Sequence, residues 1–387
     1  MLDIIEPFQL HVPEADLLDL RERLTRVRWP DRETVKDTSQ GPPLAKMEAL
    51  CAYWLERYDW RRCEAELNGL GQYKTVIDGL DIHFLHIRSP VEDATPLLMT
   101  HGWPGSVLEF RSLIGPLTDP EAHGGRREDA FHLVIPSLPG FGFSGKPSEP
   151  GWNISRIADA WITLMSRLRY ARWGAQGGDW GALVAYELGR KAAPGCIGLH
   201  FNFMMLNPSA DEIANATDGE KKILADLQHY ITKQADYLHM QASGPQTIGY
   251  FLADSPIGLA AWIYAMFQLG NEGNDYGEMP NDVFSFDVIL DWITLYWLTG
   301  TGSSSIKLNW EATQERASAL AESAKVSIPI GVSMFPKEVM RTSLRWLEAR
   351  FDRVVYFNEL DKGGHFAAIE VPATFVSEIS QTFSTLR

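Results

Sequence analysis

The chain is short of cysteine, of positive charge and of long apolar runs. Its 387 residues hold three cysteines, Cys51, Cys63 and Cys196. The number is odd and no C-x-x-C occurs, which argues against a disulfide framework and for a reducing compartment. Lys and Arg total 35 against 50 Asp and Glu, for a net charge of −15. So acidic a chain suits neither a nucleic-acid groove nor an anionic membrane surface, and no nucleic-acid partner is expected. No run of about 18 apolar residues appears, so no membrane anchor is expected. The N-terminus, MLDIIEPFQLHVPEADLLDL, has acidic residues where a secretory signal has a basic region. A soluble, cytoplasmic protein is the expectation. Neither a Gly-rich phosphate loop nor an H-E-x-x-H string is present, so no cofactor and no metal are expected.

What is there is an ordinary globular composition, with 45% apolar and 22% charged residues. Residues 1–70 read as an arm, with a helix in which Leu17, Leu20 and Leu24 keep helical spacing. Strand-like sequence begins at residue 73, with a hairpin turning at Asp78-Gly79. Apolar runs at 96–102, 131–140, 170–181 and 196–203 then alternate with helical stretches. That alternation predicts a mostly parallel sheet with helices on both faces. From about 205 to 310 it gives way to helical, aromatic-rich sequence. Strand-like runs return at 326–336 and 353–359. The expected plan is an α/β core in two parts, 71–204 and 311–387, interrupted by a helical lid over 205–310.

The string GGDWG, Gly177 to Gly181, follows an apolar run and precedes a helical one. This is the pattern of a nucleophile elbow, G-x-S-x-G, with Asp179 in the serine position. An elbow needs an acid and then a histidine later in the chain. DKGGHF supplies His365 after one strand-like run, and SMFPKE supplies Glu338 after another. Asp361 and Glu370 are rival acids. Glu338 is preferred because it follows a strand. An elbow also needs an oxyanion hole, half of it the N–H after the nucleophile, here that of Trp180. HGWPGS, from His101 to Ser106, sits where the other half belongs. Gly102 permits close backbone approach, Pro104 fixes the loop through a cis bond, and the Trp103 N–H points at the nucleophile.

The aspartate narrows the reaction class. A serine attacking an sp³ carbon would leave an ether that water does not readily cleave. An aspartate leaves an ester, which turns over. It is ionised near neutrality and needs no base to attack, so a His–acid pair is free to activate water in a second step. Displacement at an alkyl carbon follows, by epoxide opening or by dehalogenation.

The motifs, taken in order, resemble those of the microsomal-type epoxide hydrolases of the α/β-hydrolase superfamily. They are LRERLTRVRWPD in the arm, HGWPGS, PSLPGFGFS, GGDWG, SGPQTIGYFLADSPIGLAAWI, YWLTGT, FPKE and GGHF. The resemblance covers nearly the whole chain. It implies the α/β-hydrolase fold and hydrolysis of a small hydrophobic epoxide to a vicinal diol. It also implies Asp179 as nucleophile, His365 as base, Glu338 as its orienting acid, and Trp103 and Trp180 as oxyanion donors. Two lid tyrosines protonate the epoxide oxygen in this family. The first matches Tyr237, eight residues before the proline of GPQTIGY. The second is replaced by Asn309, since the chain reads SSSIKLNWE. An amide can hydrogen-bond an oxygen but is a negligible proton source. Asn309 and Tyr250 are the candidate substrate contacts, although the match of Tyr250 to TIGY favours a packing residue. The alternatives are a haloalkane dehalogenase-like hydrolase using the same aspartate, with the Trp180 indole on the halide, and a degenerate binding protein. Assembly as a homodimer is left open.

Overall fold

The arm is stitched to the sheet by a short edge strand, β1 (Glu6–Pro7), which pairs antiparallel with β2 (Gln72–Ile77). The computed structural model describes residues 4–269, 284–319 and 325–387. Asp78 and Gly79 turn the chain from β2 into β3 (Leu80–Ile87) with positive φ, 50° and 78°. A two-residue hairpin turn requires such angles, and the Asp-Gly pair supplies them at low cost.

The remaining strands are β4 (Thr95–Thr100), β5 (Phe131–Pro136), β6 (Trp173–Gly177), β7 (Cys196–Phe201), β8 (Ile330–Met334) and β9 (Val354–Glu359). They form one nine-stranded sheet in the order β1-β2-β3-β5-β4-β6-β7-β8-β9. Pairing is antiparallel from β1 to the β3–β5 contact and parallel from β5 through β9. Every residue of β5, β6 and β8 is buried. Parallel strands covered by helices on both faces read as continuous apolar runs, which is why 131–140 and 170–181 stood out in sequence. The run 326–336 is trimmed: β8 starts after Pro329, which has no N–H for the ladder, and Val326 makes only an isolated bridge to Phe351.

The chain leaves β4, pairs β5 on one side of it, and returns to place β6 on the other. Such a reversal opens a crevice at the carboxyl ends of the strands, where ligands bind in open α/β sheets. The HGWPGS loop leaves β4 and GGDWG leaves β6, so both strings meet at that crevice.

Between β7 and β8 the described elements are all helical, from Ala210–Ala214 through Lys307–Ala319. The last of these helices crosses the boundary expected at 310. Its sequence, KLNWEATQERASA, contains no glycine or proline to stop it. Many lid aromatics build core rather than line a cleft. Tyr264, Phe267 and Trp292 are fully buried, and Phe267 packs 4.9 Å from Phe366 and 5.1 Å from Trp292, centroid to centroid.

One carboxylate ties arm, core and lid together. Asp291, on the lid helix Phe286–Thr299, is fully buried. It accepts from Arg62 of the arm at 2.6 Å, Arg111 of the core at 2.6 Å and the Tyr58 hydroxyl at 2.9 Å. Among the described residues no helix is long and apolar enough to cross a membrane.

Candidate active site

β6 ends at Gly177 and the next helix begins at Asp179, whose φ is +48°. A non-glycine residue in this left-handed region is strained and persists only where its surroundings hold it. They hold it by contact. A Cβ at Gly181 would overlap the Thr100 carbonyl of β4, and one at Gly102 would overlap the Asp179 carboxyl. The two loops touch backbone to side chain, and only glycine leaves the room.

That approach brings the Trp103 N–H to the Asp179 Oδ1 at 2.7 Å, and the backbone N–H of Trp180, the next residue, adds a pull toward the ionised carboxyl. The Trp103–Pro104 peptide is cis. The loop is pinned from above, because the Tyr296 hydroxyl of the lid donates to the Gly105 carbonyl at 2.8 Å. Tyr296 is the first residue of the YWLTGT string, and this contact gives that tyrosine its reason.

His365 follows β9. Its Nδ1 lies 3.0 and 3.1 Å from the two carboxyl oxygens of Glu338, and its Nε2 lies 3.9 Å from the Asp179 Oδ2. The Glu338 side chain is fully buried and also accepts from the Val339 N–H at 2.7 Å, which fixes its plane. Of the rival acids, Asp361 is exposed and Glu370 accepts from the Phe366 N–H at 3.0 Å. Asp179 keeps 26% of its side chain accessible, so a cleft reaches it.

Burial pushes the Asp179 carboxyl above the usual carboxylate range, against the pull of His365 and the two N–H groups. Burial pushes His365 down, but the Glu338 charge and hydrogen bond, with Asp179 and Glu109 behind them, raise it to about 10. Glu109 sits on the turn Val107–Phe110, its carboxyl under Gly105. Burial first, and then Asp179 and Glu338, push it up to about 8, against the opposing pull of His365.

Tyr237 stacks on Trp103, with ring centroids 5.6 Å apart. Its hydroxyl bonds that of Tyr230 at 2.8 Å. Asn309 is buried, and its Nδ2 donates to the Gln241 Oε1 at 2.6 Å. Tyr250 requires a correction. It is 71% exposed and neither packs nor faces the cleft. Its helix turns Ile248, Gly249 and Leu252 inward, which places position 250 on the outer face. Three residues at the site have no counterpart in the sequence reading: Glu109, Tyr296 and Tyr230. Glu109 lies just past HGWPGS, and Tyr296 was legible only as part of a string. Tyr230 sits in DGEKKILADLQHYITK, which carries no signal of a site.

The sheet, the elbow and the Asp–His–Glu arrangement define an α/β hydrolase. Residues 95–196 match the α/β-hydrolase fold family, and residues 5–110 match the family described as epoxide hydrolase N terminus. Epoxide hydrolase 1 of Sus scrofa is 31% identical over 405 residues, covering 99% of this chain and 89% of its own. A Stigmatella aurantiaca protein whose name is a provisional epoxide hydrolase assignment is 50% identical over 385 residues, covering 99% of this chain and 86% of its own. The crystal structure of juvenile hormone epoxide hydrolase from Bombyx mori superposes with a TM-score of 0.90 at 29% identity, covering 99% and 95% of the two chains. The chain belongs to the epoxide hydrolase family of α/β hydrolases.

Proposed function

We propose that the protein opens a small hydrophobic epoxide to a vicinal diol through a covalent ester on Asp179. The observation that carries this reading is the division of labour between the two carboxyl oxygens. Oδ1 is held by the Trp103 N–H at 2.7 Å, while Oδ2 faces His365 at 3.9 Å. Oδ2 is therefore the attacking oxygen. It bonds an epoxide carbon, the C–O bond of the ring breaks, and the departing oxygen takes the Tyr237 proton. Oδ1 becomes the ester carbonyl, already seated in its oxyanion hole.

Hydrolysis then reverses the roles. A water beside His365 Nε2 loses its proton to the imidazole and adds to the ester carbon. Negative charge gathers on Oδ1, where the Trp103 and Trp180 N–H groups stabilise it. Glu338 holds the imidazole tautomer and the imidazolium that forms. The tetrahedral centre collapses to the diol and the free carboxylate.

The dehalogenase reading has less support. A halide departs as a stable anion and needs no proton, whereas a ring-opened alkoxide does. The Tyr237 ring, stacked on the Trp103 whose N–H holds the nucleophile, brings a phenol to the site and suits the alkoxide. Cys51, Cys63 and Cys196 are free thiols, which suits a reducing cytoplasm. The test is to trap the ester in His365→Gln with a terminal aryl epoxide and read it by intact mass on a peptide containing Asp179. Diol release without halide release from the wild-type protein supports the epoxide reading. An adduct that never forms, together with unimpaired turnover in His365→Gln, overturns it.

A further inference from the structure

Asn309 leaves this chain without the second tyrosine that its family resemblance implies, and the Asn309 amide is engaged with Gln241. A second hydroxyl is nevertheless at the site. Tyr230 is 4% exposed, and among the described residues its hydroxyl has one hydrogen bond, to that of Tyr237 at 2.8 Å. Its helix, Asp218–Lys233, is anchored to the core segment that follows the Glu338 loop. Glu220 accepts from Ser343 at 2.6 Å and from Arg345 at 2.8 Å, and Asp226 pairs with Arg341. The hydroxyl of Tyr230 is thus presented from a braced element.

Building on the ester mechanism above, we propose that Tyr230 is a positioning residue for proton delivery. Its hydroxyl donates to the Tyr237 oxygen, which aims the Tyr237 proton at the epoxide oxygen and holds the phenolate left behind. A phenol has one proton and can also accept. Two phenols in contact share a single bond, and either can be its donor. If Tyr237 donates to Tyr230, its proton is occupied and cannot reach the substrate. If Tyr230 donates, the Tyr237 proton is free. An epoxide oxygen in the cleft selects the second arrangement, because it adds a hydrogen bond to the chain and polarises both links. Burial keeps the Tyr237 hydroxyl well above the usual phenol range, so its phenolate needs a donor. Tyr230 is the donor in contact.

Oδ2 of Asp179 forms the new C–O bond, the ring C–O bond breaks, and the Tyr237 proton passes to the ring oxygen. The phenolate accepts from Tyr230 until a proton returns to it from the protonated His365 through solvent. No oxidant, reductant or further reactant is needed.

The test is single-turnover alkylation by styrene oxide in a His365→Gln background, quenched and read by intact mass. This background separates the two claims, since failure to form any adduct strikes the ester mechanism and not Tyr230. Adding Tyr230→Phe is expected to slow alkylation about 10- to 100-fold, the scale of one hydrogen bond to a charged group. Hydrolysis of preformed ester, measured with His365 intact, should stay within about twofold, which a collapsed lid would not allow. Tyr230→Phe combined with Tyr237→Phe should be no slower than Tyr237→Phe alone, because Tyr230 acts through Tyr237. Replacing Tyr230 with para-aminophenylalanine, which keeps a donor on the ring, should recover most of the rate. If Tyr230→Phe does not fold, Tyr230→Met carries the same comparisons. Alkylation within twofold of the parent, a double variant slowed by the full product of the singles, or no recovery with the amino analogue would each overturn the proposal.

Discussion

Removing the charge of Asp179 should release His365 from its proton. His365 Nε2 and the Asp179 Oδ2 stand 3.9 Å apart. Unit charges at that distance interact by about 4 kcal/mol at an effective dielectric of about 20. At about 1.4 kcal/mol per pH unit, that is worth about three pH units of His365 titration. In the free protein His365 is raised to about 10. Asp179→Asn keeps the shape and the bond to the Trp103 N–H while deleting the charge, so the His365 midpoint should fall. Glu338 remains in place, so the midpoint should not fall far below an ordinary histidine. Nitrogen-15 histidine NMR across pH 5 to 11 on both proteins reads the two midpoints directly. Midpoints within half a pH unit of each other would refute the coupling between Asp179 and His365.

Asp179→Ala should form no diol and no adduct, because no carboxylate remains to make the ester; chiral chromatography of product and intact mass of protein check both. Gly102→Ala should cost at least ~10²-fold in kcat, because its Cβ overlaps the Asp179 carboxyl and displaces a reacting group. A normal kcat would show that the loop yields freely. Glu109→Gln should leave activity at pH 7 nearly unchanged, since the carboxyl is pushed up to about 8 and is largely protonated there. Above that pH the wild-type Glu109 ionises and favours the charged form of His365, so ester hydrolysis in Glu109→Gln should exceed wild type. Stopped-flow hydrolysis from pH 7 to 10 reads the difference. Asp291→Ala leaves Arg62 and Arg111 facing a void and should cost about 3–5 kcal/mol of stability; urea unfolding measures it.

The parts of this protein that were legible in its sequence are those where backbone geometry demands particular residues. Asp78-Gly79 announces its hairpin because two positive φ angles in succession admit few residue pairs. GGDWG announces an elbow because close approach to the Thr100 carbonyl excludes a Cβ at Gly181. The order Asp179, Glu338, His365 is a consequence of strand order, which alternating runs reveal. Other features depend on distances that periodicity does not carry. Tyr250 reads like its neighbours in TIGYF, and only the helix phase, set by Ile248 and Leu252 facing inward, turns it to solvent. Tyr230 precedes Tyr237 by two nominal helical turns, yet the helix breaks between Lys233 and Asp236, so their contact is a product of the bend. The Asp291 cluster joins residues more than two hundred positions apart in the arm and lid, which no local pattern discloses.

An aspartate nucleophile imposes its own order on the reaction. In the free protein Glu338 and Asp179 raise His365 to about 10, which favours the imidazolium and leaves no base for water before substrate arrives. In the proposed cycle, attack on the epoxide turns the Asp179 carboxylate into a neutral ester and Tyr237 into a phenolate. The imidazolium then faces one carboxylate in place of two, and a strong base stands in the same cleft. Its proton moves to the phenolate through solvent. One transfer thereby restores the acid and frees the base for water. Hydrolysis regenerates the Asp179 carboxylate and reloads His365 with a proton taken from that water. Each half-reaction creates the charge state the other requires, and the net change is addition of one water to the epoxide. A serine at the elbow would be neutral before and after attack and could not time the histidine this way. The requirement for a charged nucleophile is therefore electrostatic as well as chemical, and the 3.9 Å gap between Asp179 and His365 is the distance over which it operates.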